Sequence, residues 1–259
     1  MFRILIGPDA NHGVGAAFTD RHGGVSSGTH GSLNLGRTDL DDLAAVETNF
    51  ERVRRAIGVA RVVTLDQVHG DQVVVVDQRW MHGWGPLSHL GGAAGQPPLV
   101  SADAMVTTLP DVALCIRVAD CVPVLLCDTS AGVIGAAHAG RAGFLSDVAG
   151  RTVEQMRDLG ARDIVAWLGP HICASCYEVP QSMADEVAQS HRYAVSTTTW
   201  GTPSIDLAGG LEHQLLQRGV EVVRLDPCTR TEPSLHSHRR DGADAGRLGG
   251  LIWRVSGAA

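Results

Sequence analysis

Three stretches of the sequence place an imidazole or a thiol at the end of an apolar run. They centre on His69, Cys121 and His138. A thiolate and two neutral imidazoles form a ligand set that suits zinc and leaves a fourth position open for water or substrate. Ordinary packing also fits each residue, because a histidine beside a strand is commonly a satisfied polar residue and cysteine is a common buried side chain. From the pattern alone, the three residues are candidate metal ligands, with packing as the alternative.

Arginines near these stretches indicate an anionic co-substrate. Arg21 lies beside a Gly-Gly turn, Arg141 follows the His138 stretch, and Arg239 follows the sequence His-Ser-His. The planar guanidinium binds phosphate or carboxylate with two parallel hydrogen bonds. A solvated surface charge with a local partner fits Arg21 and Arg141 equally well.

The other cysteines indicate packing rather than chemistry. Cys115 and Cys127 flank Cys121 at the same strand parity, so both are expected in the core. Cys173 and Cys176 have the C-x-x-C form, but no second pair at zinc-knuckle spacing follows them. We therefore expect two free thiols at a turn. A large core and the absence of an export signal favour reduced thiols throughout.

Composition and charge indicate a single domain spanning residues 1–259. The chain is 44% hydrophobic, which suffices for a large core. Its formal charge of −7 leaves no basic face for a run of phosphates, so nucleic acid is not an expected partner. No apolar stretch reaches the length of a membrane span, and the N-terminal apolar segment is too short for a signal peptide. We therefore expect a cytoplasmic protein without a membrane partner.

Helices and buried strands must position the candidate ligands. An apolar stripe behind an acidic start predicts a helix over residues 41–59, and further helices are predicted over 145–159, 181–192 and 206–218. Several intervening β-rich runs are apolar on both faces, which predicts a layered α/β or α+β domain. The Gly- and Pro-rich segment 82–98 is expected to form a long surface loop. The predicted strands cover residues 73–76, 104–107, 113–118, 122–126, 133–137, 164–168, 220–225 and 251–255.

Short motifs follow one another in order along nearly the whole chain. Together they resemble the laccase-domain (YfiH-like) family of purine nucleoside phosphorylases, formerly labelled polyphenol oxidases. The motifs that carry the resemblance are Arg21-His22-Gly23-Gly24-Val25-Ser26, Ser32-Leu33-Asn34-Leu35-Gly36, Gln67-Val68-His69-Gly70, Ala102-Asp103-Ala104, Ala119-Asp120-Cys121-Val122-Pro123, Ala137-His138-Ala139-Gly140-Arg141, Gly169-Pro170, Cys176-Tyr177-Glu178-Val179 and Ser237-His238-Arg239-Arg240-Asp241-Gly242.

The resemblance implies a mixed α+β fold arranged as a four-layer α/β/β/α sandwich. It implies that His69, Cys121 and His138 bind a catalytic zinc, with copper as the other candidate metal. The implied reactions are phosphate-dependent cleavage of adenosine, inosine, guanosine or methylthioadenosine, and hydrolytic deamination of adenosine. The partners would be a purine nucleoside and inorganic phosphate, and the oligomeric state stays open between a monomer and a weak homodimer. The chain departs from the pattern at Ser175, where many relatives have another cysteine, and in its long 82–98 loop.

Roles for the polar residues follow from these reactions. A zinc ion with an open position lowers the pKa of bound water to about 7, which provides a nucleophile for C6 of adenine. Phosphorolysis instead requires phosphate to be held near the anomeric carbon of the ribose. Asp120 is expected to orient a metal ligand or transfer a proton, and Arg141 to act on phosphate. Arg21, Arg141 and Arg239 are expected to contact phosphate or ribose, with Asn34 and Gln67 as further hydrogen-bond partners.

Three other interpretations use the same residues. A His-Cys-His set also binds copper, but a multicopper oxidase needs a further histidine cluster and the sequence contains one H-x-H, at residues 236–238. A cysteine hydrolase, of the kind assigned to peptidoglycan precursor editing, would use Cys121 as nucleophile and His69 or His138 as base. A zinc-stabilised binding module would leave the open coordination position and the arginines unexplained.

Overall fold

Two β-sheets with helices on their outer faces make up the fold. The computed structural model describes residues 1–36, 41–82, 99–225 and 227–256. Its strands are β1 Phe2–Ile6, β2 Val14–Thr19, β3 Arg61–Val63, β4 Val73–Val75, β5 Ala104–Thr107, β6 Val112–Val118, β7 Val122–Asp128, β8 Val133–Ala139, β9 Val165–Leu168, β10 Val195–Thr197, β11 Pro203–Ile205, β12 Glu221–Arg224 and β13 Leu248–Arg254. Its helices are α1 Leu43–Ile57, α2 Gln78–Met81, α3 Arg141–Leu145, α4 Val148–Asp158, α5 Gln181–His191, α6 Leu207–Leu216 and α7 His238–Asp241.

Both large sheets are mixed. The first has the strand order β1-β2-β13-β6-β3, in which β3 runs parallel to β6 and the other pairs are antiparallel. The second has the order β12-β9-β7-β8-β5-β4, with parallel pairs at its two edges, β12 with β9 and β4 with β5. Strands β10 and β11 form a separate antiparallel pair.

Alternating side chains divide the core into three layers of apolar contact. The outer face of the first sheet packs against α1, for example Trp253 near Phe50 and Val53. The inner faces of the two sheets pack against each other through residues such as Ile116 and Leu125. The outer face of the second sheet is covered by helices α3 to α6. This order of layers is α/β/β/α, as the family resemblance implies.

The predicted elements correspond to helices and strands of the structure. Helix α1 begins after Asp42, whose side chain accepts a hydrogen bond of 2.9 Å from the Ala44 amide, and it ends at Gly58 in the left-handed region. The helix predicted over 145–159 corresponds to α4, with the short α3 before it. All eight predicted strand runs overlap observed strands, while β1, β2, β3, β10 and β11 were not predicted. Cys115 and Cys127 lie in the core as expected.

Strand pairing in the second sheet places the candidate ligands at one edge of the sheet, the edge formed by the ends of the strands. Cys121 directly precedes β7 and His138 lies near the end of β8, and these antiparallel strands pair Val122 with Ala139. Strand β5 also pairs antiparallel with β8, and β4 runs parallel to β5, so the starts of β4 and β5 reach the same edge. His69 and Asp103 precede these two strands. The topology thus gathers residues that are far apart in sequence.

Two further predictions from the sequence concern the loop over residues 82–98 and membrane-spanning segments. The loop predicted over residues 82–98 lies outside the described residues from 83 onward. Within the described part of the chain, none of the helices is both long enough and apolar enough to cross a bilayer.

Candidate metal centre

His69, Cys121 and His138 meet at the edge of the second sheet. One ligand atom from each lies within 4.8 Å of the other two. The Cys121 Sγ atom is 3.9 Å from His69 Nε2, and the two imidazole rings meet edge to face with their centres 4.7 Å apart. His138 is buried, Cys121 is half-buried and His69 is exposed, so the cluster opens toward solvent on the His69 side.

A single buried carboxylate organises two of these ligands. Asp103 Oδ1 accepts a 2.7 Å hydrogen bond from His138 Nδ1 and a 3.0 Å bond from the His69 amide. Its Oδ2 accepts 2.6 and 3.1 Å bonds from the amides of Gly70 and Val68. Because Nδ1 of His138 is used in this way, its Nε2 remains for a ligand. Asp103 is therefore a positioning residue that fixes the His138 ring and the turn carrying His69.

Backbone conformation at the site departs from what these residue types prefer. His69 has φ 61° and Asp120 has φ 91°, both in the left-handed region. Such conformations cost about 1–3 kcal/mol each and persist when surrounding contacts hold them. At His69 the three amide bonds to Asp103 from residues 68–70 provide those contacts.

The cluster favours a thiolate beside an imidazolium when no metal is bound. Burial opposes charge on Cys121, but the charge and hydrogen bonds of His138 and His69 outweigh it and lower the pKa of the thiol to about 6. Burial likewise opposes charge on His138, yet the Cys121 thiolate and the Asp103 carboxylate raise the pKa of the imidazole to about 9. Burial also opposes ionisation of Asp103, but its bonds to His138 and the amides lower its pKa.

This donor set fits a metal ion. The thiol is already disposed to lose its proton, the His138 tautomer is set by Asp103, and the three donor atoms converge. Sulfur and imidazole nitrogen together suit zinc and also copper. Three protein ligands leave one tetrahedral position for water or substrate.

A cavity of about 480 Å³ opens onto the cluster. Its wall contains the three candidate ligands and three guanidinium side chains, so it presents a metal-binding face and a cationic face to the same space. The lining residues are Gly36, Asp66, Gln67, His69, Arg117, Val118, Ala119, Asp120, Cys121, His138, Tyr177, His238, Arg239 and Arg247.

Asp120 joins the metal-binding face to the C-terminal segments. Its Oδ1 accepts hydrogen bonds of 2.5 Å from Thr229 Oγ1 and 2.7 Å from Ser237 Oγ, and its Oδ2 accepts a 2.6 Å bond from the Arg239 amide. Its own carbonyl accepts a 2.9 Å bond from the Ile172 amide. A carboxylate held by three donors is fixed in place, so Asp120 positions its neighbours Cys121 and Arg239.

The structure brings some of the predicted polar residues to the cavity. Asp120, Gln67 and Arg239 line it. The Gln67 amide is anchored on both sides by the Arg117 backbone, donating to its carbonyl at 2.8 Å and accepting from its amide at 2.9 Å. The Arg239 guanidinium donates to the Glu178 carbonyl and lies 5.3 Å from the centre of the Tyr177 ring.

Arg21, Arg141 and Asn34 are not part of the described cavity wall. Arg21 donates to the carbonyls of Gly31 and Thr29 at 3.0 and 2.9 Å. Arg141 forms a 2.6 Å ion pair with Glu186.

The buried Asn34 acts one layer behind the wall. Its Oδ1 accepts hydrogen bonds from the amides of Gly36 and Arg247, both of which line the cavity.

Several residues of the site had no role assigned from the sequence. Asp103 lies within a recognised motif, but nothing in the sequence indicates that its partner is His138. Arg247 and Arg117 carry no motif of their own and reach the cavity through the strand order β13-β6. Tyr177 follows Cys176 in a motif and lines the cavity. A carboxylate or arginine beside a predicted strand end is the signal that identifies such residues.

Gly140 provides a test of the geometry of the cluster. A Cβ atom at this position would lie 2.9 Å from His69 Cδ2 and 3.0 Å from Cys121 Sγ. We expect Gly140→Ala to displace one ligand, so that the purified protein carries about one metal ion per chain fewer than the wild type, measured by mass spectrometry of the released metal. Gly70→Ala is the matched control, because its Cβ would meet nothing closer than 3.5 Å. Equal metal content in the two variants would contradict the proposed ligand set.

The mixed α+β sandwich described above is the fold of a known class of proteins, the laccase-domain proteins. The chain belongs to the laccase-domain (YfiH-like) family, since the profile described as multi-copper polyphenol oxidoreductase laccase matches residues 15–255. It is 46% identical to purine nucleoside phosphorylase ORF3 of Streptomyces griseus over 92% of this chain and 93% of that protein.

Solved structures agree with this assignment. Neisseria meningitidis protein NMB0706 superposes with a TM-score of 0.80 at 32% identity, covering 98% of this chain and 99% of that one. YlmD from Geobacillus stearothermophilus gives a TM-score of 0.81 at 30% identity over 98% and 97% of the two chains. The family identification made from the motifs is therefore confirmed.

Proposed function

We propose that this protein is a metal-dependent purine nucleoside phosphorylase that cleaves adenosine, inosine, guanosine or methylthioadenosine with inorganic phosphate. The observation that carries the proposal is the shared cavity, in which the His-Cys-His cluster faces the same space as Arg117, Arg239 and Arg247. Relatives named purine nucleoside phosphorylase support it, including one from Streptomyces coelicolor that is 43% identical over 95% of this chain.

The guanidinium groups account for the phosphate. Arg239 is exposed, whereas Arg247 is half-buried. Burial lowers the pKa of Arg247, although the negative charges of Cys121 and Asp120 act to raise it. Phosphate bound between such groups gains charge-assisted, two-pronged hydrogen bonds in a partly desolvated space. Phosphate held there is positioned to attack the anomeric carbon as the bond to the purine breaks.

His69, Cys121 and His138 would hold zinc in this site. When bound, the ion supplies Lewis acidity beside the substrate. The protein contributes the rest through its own residues: Asp103 fixes His138, Asp120 fixes the segment that carries Arg239, and Gln67 is fixed by the Arg117 backbone. Burial raises the pKa of Tyr177 in the cavity wall, so its phenol stays protonated and available as a hydrogen-bond donor to the base.

The first test measures purine release from adenosine with and without phosphate, together with ribose 1-phosphate and the metal content of the protein. We expect release to require phosphate, and we expect Cys121→Ala to remove both release and the metal ion of the His-Cys-His cluster. Inosine and ammonia in the same assay report the deaminase side activity, which is part of the proposal. Purine release that ignores phosphate, or an absence of release by zinc-loaded protein, would overturn the phosphorylase assignment.

The phosphate role of Arg239 makes a separate prediction. Loss of a hydrogen bond to a charged group costs about 1.5–3 kcal/mol, which is roughly 10- to 150-fold in affinity. We expect Arg239→Gln to raise the KM for phosphate about 10-fold or more and to change the KM for the nucleoside less. The control is Arg192→Gln, because Arg192 is an exposed arginine away from the cavity. An unchanged KM for phosphate removes Arg239 from the phosphate site.

A cysteine hydrolase is the second candidate, and one observation favours it. Cys121, His138 and Asp103 form a chain of thiolate, imidazolium and carboxylate, the arrangement that activates a nucleophilic cysteine. Chelation separates the two proposals, because a cysteine nucleophile works without metal. Hydrolysis of a peptidoglycan precursor that survives chelation and disappears in Cys121→Ala would favour the hydrolase.

Copper-dependent phenol oxidation is the third candidate. The H-x-H sequence at residues 236–238 would be its histidine pair, but the structure indicates another role for these residues. His236 is fully buried, and its Nε2 donates to the Leu33 carbonyl at 3.1 Å. Burial lowers the pKa of His236 to about 4. We therefore infer that His236 supports the backbone at Leu33, whereas His238, which lines the cavity, lies near the substrate. Phenol oxidation in proportion to bound copper would restore the oxidase interpretation.

A further inference from the structure

A second convergence of thiols lies outside the His-Cys-His cluster. The sulfur atoms of Cys173, Cys176 and Cys228 lie within 4.8 Å of one another, and all three are free thiols. Cys176 is buried and the other two are half-buried. The C-x-x-C pair was expected to be two thiols at a turn, and that expectation is incomplete because the fold adds a third sulfur from a distant segment.

Local backbone structure explains how the three sulfurs meet. The Cys173 carbonyl accepts hydrogen bonds from the amides of Cys176 at 2.9 Å and Tyr177 at 3.0 Å, which closes a turn after β9 and brings the first two thiols together. Cys228 follows β12, the strand beside β9 in the second sheet, and forms a β-bridge with His171. The neighbouring ends of two parallel strands thus bring the third thiol to the turn.

We propose that Cys173, Cys176 and Cys228 form a second metal site, for a thiophilic ion such as zinc. Thiolates bind zinc at about 2.3 Å in tetrahedral geometry, which places their sulfur atoms roughly 3.8 Å apart. The sulfur atoms lie within 4.8 Å of one another before any ion is bound, so each separation needs to shorten by at most about 1 Å to reach that arrangement. Three thiolates leave the fourth position to water, and the two half-buried cysteines give the ion a path to the site.

A backbone hydrogen bond within the cluster supports Cys228 as a metal ligand. The Cys173 amide donates to the Cys228 Sγ atom at 3.4 Å. Amide donors to sulfur are outer contacts of the kind that support metal ligation.

An ion at this position would join the two segments that hold Asp120. Ile172, next to Cys173, donates its amide to the Asp120 carbonyl at 2.9 Å, and Thr229, next to Cys228, donates its hydroxyl to the Asp120 carboxylate at 2.5 Å. The proposed site is therefore structural, stiffening the support of the cavity, and it does not depend on which reaction the cavity performs.

Metal content distinguishes the two sites. Cys121→Ala removes the first site, so this variant, loaded with zinc and freed of excess by gel filtration, is expected to retain about one zinc per chain. When Cys228→Ser or, independently, Cys173→Ser is added to Cys121→Ala, the zinc content is expected to fall to near zero. Adding Cys127→Ala, a cysteine outside both clusters, is the matched control and should leave one zinc. Cobalt loading of Cys121→Ala should give intense thiolate-to-cobalt absorption that is lost in the same variants.

A readout of folding keeps the test independent of turnover. Zinc is expected to raise the melting temperature of Cys121→Ala and to leave that of Cys121→Ala/Cys228→Ser unchanged. The proposal is overturned if Cys121→Ala retains no zinc, if its zinc persists after Cys228 or Cys173 is replaced, or if thiol titration of the denatured protein shows two of these cysteines joined in a disulfide.

Discussion

Replacing Asp103 by asparagine is expected to lower the affinity of the candidate metal centre about 10- to 100-fold, the range found when partners of metal-bound histidines are removed. Purine release should fall by at least the same factor at limiting metal. The effect is large because Asp103 serves His69 and His138 at once, through bonds to the His138 ring and to the backbone of residues 68–70.

The chemistry of the side chain explains why such a conservative change is damaging. Both oxygens of Asp103 accept hydrogen bonds, from His138 and the His69 amide on one side and from the amides of Gly70 and Val68 on the other. Asparagine has one acceptor and one donor group. Whichever way it turns, its NH₂ faces two N–H donors in a buried place, where unsatisfied donors are costly. Either the His138 ring or the His69 turn loses its support.

Asp128→Asn is the control that separates this effect from general destabilisation. Asp128 is also buried and accepts four hydrogen bonds, from Ser130, Ala131, Arg162 and Asp163. It lies at the far end of β7 from Cys121. We expect Asp128→Asn to lower the melting temperature without lowering zinc affinity, measured by competition with a chromogenic chelator. If Asp103→Asn binds zinc as tightly as the wild type, Asp103 does not position the ligands.

Sequence periodicity predicts the second sheet well and the first sheet poorly. In the second sheet, β7 reads Val-Pro-Val-Leu-Leu-Cys-Asp and β9 reads Val-Ala-Trp-Leu, and such Val- and Leu-rich runs mark buried strands. Strand β2 is equally buried, but it reads Val-Gly-Ala-Ala-Phe-Thr, and its small residues carry little strand signal. Strand β3 has only three residues. Strand order depends on long-range pairing that periodicity does not encode, so the α/β/β/α order of layers was predictable only from the family resemblance.

The candidate site divides in a similar way. His69, Cys121 and His138 were proposed from the sequence because thiol and imidazole groups at strand ends have recognisable chemistry. The directions of long side chains were not predictable. Arg21 and Arg141 lie in the right motifs, yet the fold directs their guanidiniums to backbone carbonyls and to a carboxylate. Such partners are set by tertiary contacts.

Metal-free protein is expected to carry Cys121 as a thiolate at neutral pH. Because its pKa is lowered to about 6, the thiolate is lost as the pH falls through 6. The His138 pKa is raised to about 9, so the imidazolium partner is lost as the pH rises through 9. The ion pair therefore exists between these two pH values. The rate of alkylation of Cys121, plotted against pH, should inflect near pH 6 instead of near 9, the ordinary pKa of a cysteine thiol.

The pH profile is a better measure of this thiol than its rate at one pH. At pH 7 a thiol with a pKa of 6 is roughly 90% ionised and one with a pKa of 9 about 1%, but nucleophilicity falls with pKa by a Brønsted factor of about 0.4–0.5. Three pKa units thus cost roughly 20-fold in intrinsic reactivity, which cancels most of the gain. The position of the inflection has no such compensation.

Iodoacetamide labelling of Cys121, located by peptide mass spectrometry, checks this in chelated protein between pH 5 and about 10. His138→Asn should move the inflection upward, because the largest favourable contribution to the thiolate comes from His138. Zinc should protect the sulfur in the wild type if it is a ligand. An inflection near 9 in chelated wild-type protein would remove the basis for a cysteine hydrolase and leave metal binding as the role of Cys121. An inflection near 6 with no protection by zinc would reverse that order, since a reactive thiolate that ignores zinc acts as a nucleophile and not as a ligand.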